Sequence, residues 1–322
     1  MSACAQPEKP FPIPVNYFGI VLGLVALGLA WRYATGLIHV PALVGEVLIG
    51  AGSLIWLALV LVYIVKWVAY RDHARAELCH DIAGCFVSLI PITGMLVGLG
   101  LLPYAPLLGK VLIYSQIVCQ ILFSVYRLGN MMTGTHPVEA TTPVIYLPMV
   151  ATNFVSATSL GTLGYPDWGL VFFGMGFFGW IVLEPAVLSR LRNLQSLPVA
   201  IRPAMGIQAA PGFVGAAAYM TVNGGLVDAL TLMLIGYGLV QLFIVTRLLL
   251  WASPNGFTVG LWAYSFGLAS MAMCGLKVYQ GLHNTGFGAM GLPMFWVGSA
   301  AIGLLILCTI LCIFQGKFLV RS

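Results

Sequence analysis

Charge is what this chain has least of. Only 7% of its 322 residues are charged, against about a quarter in soluble domains. A fold with so few ionic groups cannot cover a water-facing surface, so an integral membrane protein is expected. Segments long enough to form a separate soluble domain are missing as well: no stretch between hydrophobic runs exceeds about twenty residues. Any chemistry must then lie inside the membrane or at its rim.

Other absences narrow the function. The seven cysteines (Cys4, Cys79, Cys85, Cys119, Cys274, Cys308 and Cys312) contain no C-x-x-C pair. Cys308 and Cys312, one helical turn apart in an apolar run, are expected to be small apolar filler rather than metal ligands. The histidines His39, His73, His80, His136 and His283 fall in loops or at span ends, so no two helices face histidines across a haem. Nothing resembles a nucleotide-binding loop or a nucleophile elbow. No enzyme activity, metal or cofactor is expected. The net charge of +5 lies mostly in loops and makes nucleic acid a poor partner. Met1 to Pro14 has neither a basic start nor an apolar core, so no cleavable signal peptide is expected.

What the chain does have is long apolar runs, which argue for helices rather than the short alternating strands of a barrel. Ten spans can be drawn, over about 15–33, 43–69, 81–102, 107–130, 143–164, 168–190, 203–223, 226–251, 257–279 and 290–314. An even number puts both termini on one side. Eleven Lys and Arg residues fall on that side (Lys9, Lys66, Arg71, Arg75, Arg127, Arg190, Arg192, Arg202, Arg247, Lys317 and Arg321), against Arg32, Lys110 and Lys277 opposite. The positive-inside rule makes both termini cytoplasmic.

The spans also repeat. Centres of the even-numbered spans fall near residues 56, 118, 178, 240 and 303, one unit about every sixty residues. Links on the outer side are short and those on the basic side longer, which makes five helical hairpins over roughly 15–69, 81–130, 143–190, 203–251 and 257–314. Pro91, Pro148 and Pro211 recur inside the third, fifth and seventh spans at nearly the same period. A proline inside a helix removes a hydrogen bond and kinks it, so one inner set of helices bent at a common depth is expected. The first span has glycines instead (Gly19, Gly23 and Gly28), and the ninth has Gly260 and Gly267. Each unit begins and ends on the same side, so the repeats run parallel around an axis along the membrane normal. The expected fold is an inner ring of odd spans, an outer ring of even ones and a central pore, all as one channel domain over 1–322.

The ninth span, Phe257 to Tyr279, places Gly260, Ala263, Gly267, Ser270 and Cys274 on one stripe at helical spacing, with Phe266 at its flank and at mid-depth. Such a stripe suits either close helix packing or a pore wall with a plug. Acidic and basic side chains are nearly absent from the odd spans, so neither a cation filter nor tight anion binding is expected. Polar but neutral residues remain: Asn16, Ser88, Thr93, Thr152, Asn153, Ser156, Thr158, Ser159, Gln208, Ser265 and Ser270. The carbonyls of Val87, Val144 and Ile207, freed by the prolines, would repel anions and should be turned away or bonded. Glu46 and Glu184 are the intramembrane carboxylates. For Glu184 an ion pair with Arg190 is expected ahead of a proton-coupling role.

Several runs resemble one bacterial family. They are P-V-N-Y-F-G-I-V-L-G (14–23), S-L-I-P-I-T-G-M-L-V (88–97), H-P-V-E-A-T-T-P-V-I-Y-L-P (136–148), A-T-N-F-V-S-A (151–157), L-E-P-A-V-L-S-R-L-R (183–192), G-Y-G-L-V-Q-L (236–242) and G-L-W-A-Y-S-F-G-L-A-S-M-A (260–272). Together they resemble the TehA family, the tellurite-resistance and dicarboxylate transporter group that includes the plant guard-cell slow anion channels. The resemblance implies ten helices around a central pore, a homotrimer with one pore per subunit, and a bacterial inner membrane location. It implies passive conduction of small inorganic anions, with a ninth-helix phenylalanine, here Phe266, closing the pore. Gly19 would be a tightly packed pore-wall position. The same family name covers proton-linked dicarboxylate uptake and sulfite efflux, so a coupled transporter of such oxyanions is the alternative.

Overall fold

A computed structural model describes residues 11–319. Cys4, Lys9 and Arg321 lie outside the described residues, as does most of the Met1–Pro14 segment.

The described chain is helical throughout, with no strand. Its main helices are α1 (Phe18–Ile38), α2 (Ala42–Ala69), α3 (Arg71–Cys79), α4 (Leu89–Leu101), α5 (Pro106–Asn130) and α6 (Thr152–Thr162). They continue as α7 (Pro166–Asn193), α8 (Ala210–Val222), α9 (Ala229–Arg247), α10 (Leu249–Ala252), α11 (Ser265–Gly281) and α12 (Gly291–Phe314). Among the described residues nine helices are long and apolar enough to cross a membrane. The seventh expected span is helical too, over Arg202–Ala209 and Ala210–Val222, but it falls outside the nine. Arg202 and Gln208, with a run of alanine and glycine, dilute its apolar character.

Packing sorts the helices into two shells. α1 packs on α2, α4 on α5, α6 on α7, α8 on α9 and α11 on α12. The first members of these pairs then touch one another in sequence, α1 to α4, α4 to α6, α6 to α8, α8 to α11 and α11 back to α1, which closes a five-membered ring within one chain. Burial follows the same division. The spans containing α1, α4, α6 and α11 are 56%, 83%, 83% and 78% buried, whereas those of α2, α5, α7, α9 and α12 are 17–33% buried. On α2 the exposed side chains Leu43, Val47, Leu54, Leu57, Leu61, Ile64 and Val68 recur at helical spacing, a stripe suited to lipid.

Each inner helix opens with a tighter 310 segment: Val15–Tyr17, Ala83–Ser88, Pro143–Ile145, Arg202–Ala209 and Val259–Tyr264. The prolines mark where this opening ends. Pro91 and Pro211 stand in the first turns of α4 and α8, and Pro148 in the first turn of a π-helical step, Leu147–Ala151, that leads into α6. Each lies in a continuous helical run, as in Ala83–Leu101 and Pro143–Thr162, so the missing N–H falls where the hydrogen-bond register changes. The prolines therefore mark the joint between two kinds of helix. The carbonyls of Val87, Val144 and Ile207 accept backbone N–H groups at the ends of the 310 segments, so none is left bare.

Candidate functional site

On the ring axis lies a cavity of about 280 Å3, lined by the opening segments and first turns of all five inner helices. Since the amino-terminal end of every inner helix faces it, all five run in the same direction. The lining reaches Leu22, Leu89, Phe154, Val214 and Phe266 along the five helices and goes no deeper. α1 and α11 each run on for more than two further turns beyond that layer. The cavity thus opens from one end and stops at a layer of bulky apolar side chains.

Phe266 belongs to that layer because of the 310 segment before it. With about three residues per turn, Gly260, Ala263 and Phe266 share one face, and all three line the cavity. The ordinary helical period expected from the sequence puts Gly267 in line with Gly260 and Ala263 and leaves Phe266 at the flank. Instead Gly267 turns to α8, where a Cβ would lie 3.3 Å from backbone atoms of Ala209 and Ala210. Cys274 is buried on the same side, its Sγ 3.3 Å from the Phe213 carbonyl.

The other expected residues divide by role. Gly19 and Pro211 line the cavity with Phe266. Gly23 is a packing position: a Cβ there would lie 2.5 Å from Ser265 Cβ and 2.9 Å from the Trp262 ring. Pro91, Pro148 and Ser270 are buried but not part of the cavity wall. Of the neutral polar residues only Asn16 lines the cavity. Most others bond their own helices: Thr93 to the Leu89 carbonyl (2.6 Å), Thr152 to Pro148 (3.0 Å), Asn153 to Met149 (2.6 Å) and Ser265 to Trp262 (2.7 Å). The wall is therefore mostly apolar, with Asn16, His80 and Tyr146 as its polar points and no carboxylate.

Glu184 is where the structure departs most from expectation. Its carboxylate makes no ion pair with Arg190, whose Nε donates to the Glu139 carbonyl at 2.9 Å and whose terminal nitrogen donates to Gln195 at 3.2 Å. Four neutral donors hold it instead. Tyr146 donates at 2.6 Å, Trp180 Nε1 at 2.8 Å and Gln208 Nε2 at 2.6 Å, and the Tyr237 hydroxyl completes the set. Gln241 in turn donates to Tyr237 at 2.7 Å. Arg190, six residues further along α7, is claimed by loop carbonyls, and helical spacing gives no hint of donors on three other segments. Tyr146, which bridges this cluster and the cavity wall, falls within the run 136–148, but no charge or spacing there singles it out. Glu46 is paired with Arg32 through two bonds of 2.7 Å.

Around the cavity mouth, arginines are bonded to backbone carbonyls rather than to acids. Arg127 donates to Leu78, His80 and Asp81, and Arg202 to Leu197 at 2.9 Å while lying 4.6 Å over the Trp251 ring. Among the described residues neither guanidinium forms an ion pair. His136, 3.9 Å from Asp81, is held below the usual imidazole range chiefly by burial, against the pull of that carboxylate. It therefore adds little charge near neutral pH.

Comparison with known proteins agrees with this geometry. The profile of the voltage-dependent anion channel family (SLAC1) matches residues 12–310. The tellurite resistance protein TehA homolog of Haemophilus influenzae is 42% identical over 314 residues, 97% of this chain and 94% of that protein. The guard cell S-type anion channel SLAC1 of Arabidopsis thaliana is 20% identical over 95% of this chain and 57% of its own length. The S-type anion channel SLAH2 of the same plant is 23% identical over 84% and 54%. Nearly end-to-end coverage, a helical ring and an axial cavity converge on one conclusion: the chain is a multi-pass membrane protein of the SLAC1/TehA anion channel family.

Proposed function

We propose that this protein is a channel for small monovalent anions such as chloride and nitrate, and that Phe266 closes it. The observation that carries this reading is the axial cavity, walled by all five inner helices and stopped at the layer containing Phe266. A neutral wall cannot bind an anion tightly, so selectivity is weak and follows the cost of shedding water. The arginines at the mouth, bonded to carbonyls rather than to acids, favour anions over cations. The five hairpins act as one channel domain, three copies form a homotrimer with a pore in each, and the protein sits in a bacterial inner membrane with cytoplasmic termini. The cavity then faces the cytoplasm. Phe266→Ala removes the plug, and anion current in oocytes or liposomes should rise by about tenfold or more, the factor that about 1.4 kcal/mol represents. A current that stays at the wild-type level would overturn the gate.

A second reading, proton-coupled transport of dicarboxylate, sulfite or tellurite-type oxyanions, has one observation in its favour. Glu184 is a single hydrogen bond from the cavity wall through Tyr146. On that reading uptake saturates, is driven by a pH gradient and is lost in Glu184→Gln. Reversal potentials in mixed-anion liposome recordings separate the two.

A further inference from the structure

Beyond Phe266 the inner face of α11 carries one ionisable side chain. Lys277 follows Phe266 by eleven residues, so at about 100° per residue the two lie within about 20° of the same face. They are separated by roughly 16 Å along the helix. Gly275, nine residues after Phe266, lies on the opposite face, where a Cβ would meet Gly291 and Met294 of α12. Lys277 therefore points away from the outer shell. Its Nζ donates to Thr221 Oγ1 of the neighbouring inner helix α8 at 3.0 Å. The Thr221 hydroxyl proton is committed to the Ala217 carbonyl at 2.8 Å. Lys277 thus keeps two of its three N–H groups for another acceptor.

No carboxylate balances it. Among the described residues, ion pairs join Arg32 to Glu46 and Lys66 to Glu77, and neither includes Lys277. Asp228, the acid of the nearby α8–α9 link, is taken up by Tyr219 at 2.9 Å and by the Thr231 amide at 3.0 Å. A part-buried ammonium within a membrane span is costly without a counter-charge. On the inward face of a ring, the counter-charge at hand is an anion in transit.

We propose that Lys277 is an anion-binding site in the far half of the passage, holding a halide- or nitrate-sized monovalent anion between its ammonium and the axis. Its part in conduction rests on the channel reading above. The binding itself does not, and two experiments keep these apart. Bromide soaked into crystals of the full chain should give an anomalous peak beside Nζ that is absent in Lys277→Gln. Wild-type crystals with no such peak overturn the site, whether or not the protein conducts.

The second experiment uses the Phe266→Ala background. Adding Lys277→Gln should lower anion conductance at low chloride by about tenfold, the low end of the range by which local charge raises ion concentration, and the difference should shrink at high salt. Adding Thr221→Ala instead, which breaks the tie to α8 but keeps the charge, should leave conductance within about twofold. Equal losses in both double variants would make Lys277 a helix fastener and overturn its role in conduction. Silence of Phe266→Ala alone counts against the channel reading and leaves the bromide result to decide the site.

Discussion

The Glu184 carboxylate is held without a cation, and that makes its replacement informative. Glu184→Leu would leave Tyr146, Trp180, Gln208 and Tyr237 donating to nothing, and each orphaned buried donor costs about 1–3 kcal/mol. Thermal unfolding in detergent should show a drop large enough to impair folding. Glu184→Gln keeps one acceptor oxygen and should fall between that variant and wild type. If Leu and Gln are equally well tolerated, the network contributes little to stability. The sequence displays Glu184 and Arg190 six positions apart, but it cannot display which donors the tertiary fold delivers. A carboxylate beside a basic helix end reads as an ion pair until the neutral partners on the loop before α6, on the segment before α8 and on α9 are seen.

At the scale of an element, the 310 openings decide which residues face the axis. Three residues per turn over Val259–Tyr264 bring Phe266 onto the wall and send Gly267 to α8, an outcome that an unbroken α-helical period misassigns. The two glycines of α1 separate wall from packing in the same way. At Gly23 an added methyl group would strike Ser265 and Trp262, while at Gly19 it would meet Trp262 Cβ at an ordinary 3.5 Å. Gly23→Ala should therefore lower the melting temperature by several degrees, consistent with the about 1–3 kcal/mol that overpacking costs. Gly19→Ala should be nearly silent in the same assay. The reverse order would mean that α1 and α11 are packed differently. Much of the element plan was legible from composition and period: the division into buried odd and exposed even spans, and the marked positions of Pro91, Pro148 and Pro211. What was illegible is the kind of helix on each side of those prolines, because 310 and α turns share composition and differ only in hydrogen-bond register.

For the whole molecule, the arrangement of basic loops sets orientation. Arg127, Arg190 and Arg202 lie by the cavity mouth, and Thr285 is exposed in the link between α11 and α12 at the other end. In a cysteine-free background, Thr285→Cys should react with an impermeant maleimide added to intact cells. Ser196→Cys, exposed in the basic link after α7, should react only after lysis. Labelling with the opposite sidedness would invert the topology and put the cavity mouth outside. The ring of five inner helices also closes within one chain, from α11 back to α1. Nothing a neighbouring subunit could add is needed to complete the enclosure. Membranes expressing mixtures of Phe266→Ala and wild-type subunits should then carry current in simple proportion to the share of altered copies. A steeper dependence on that share would mean that neighbouring copies open only in concert.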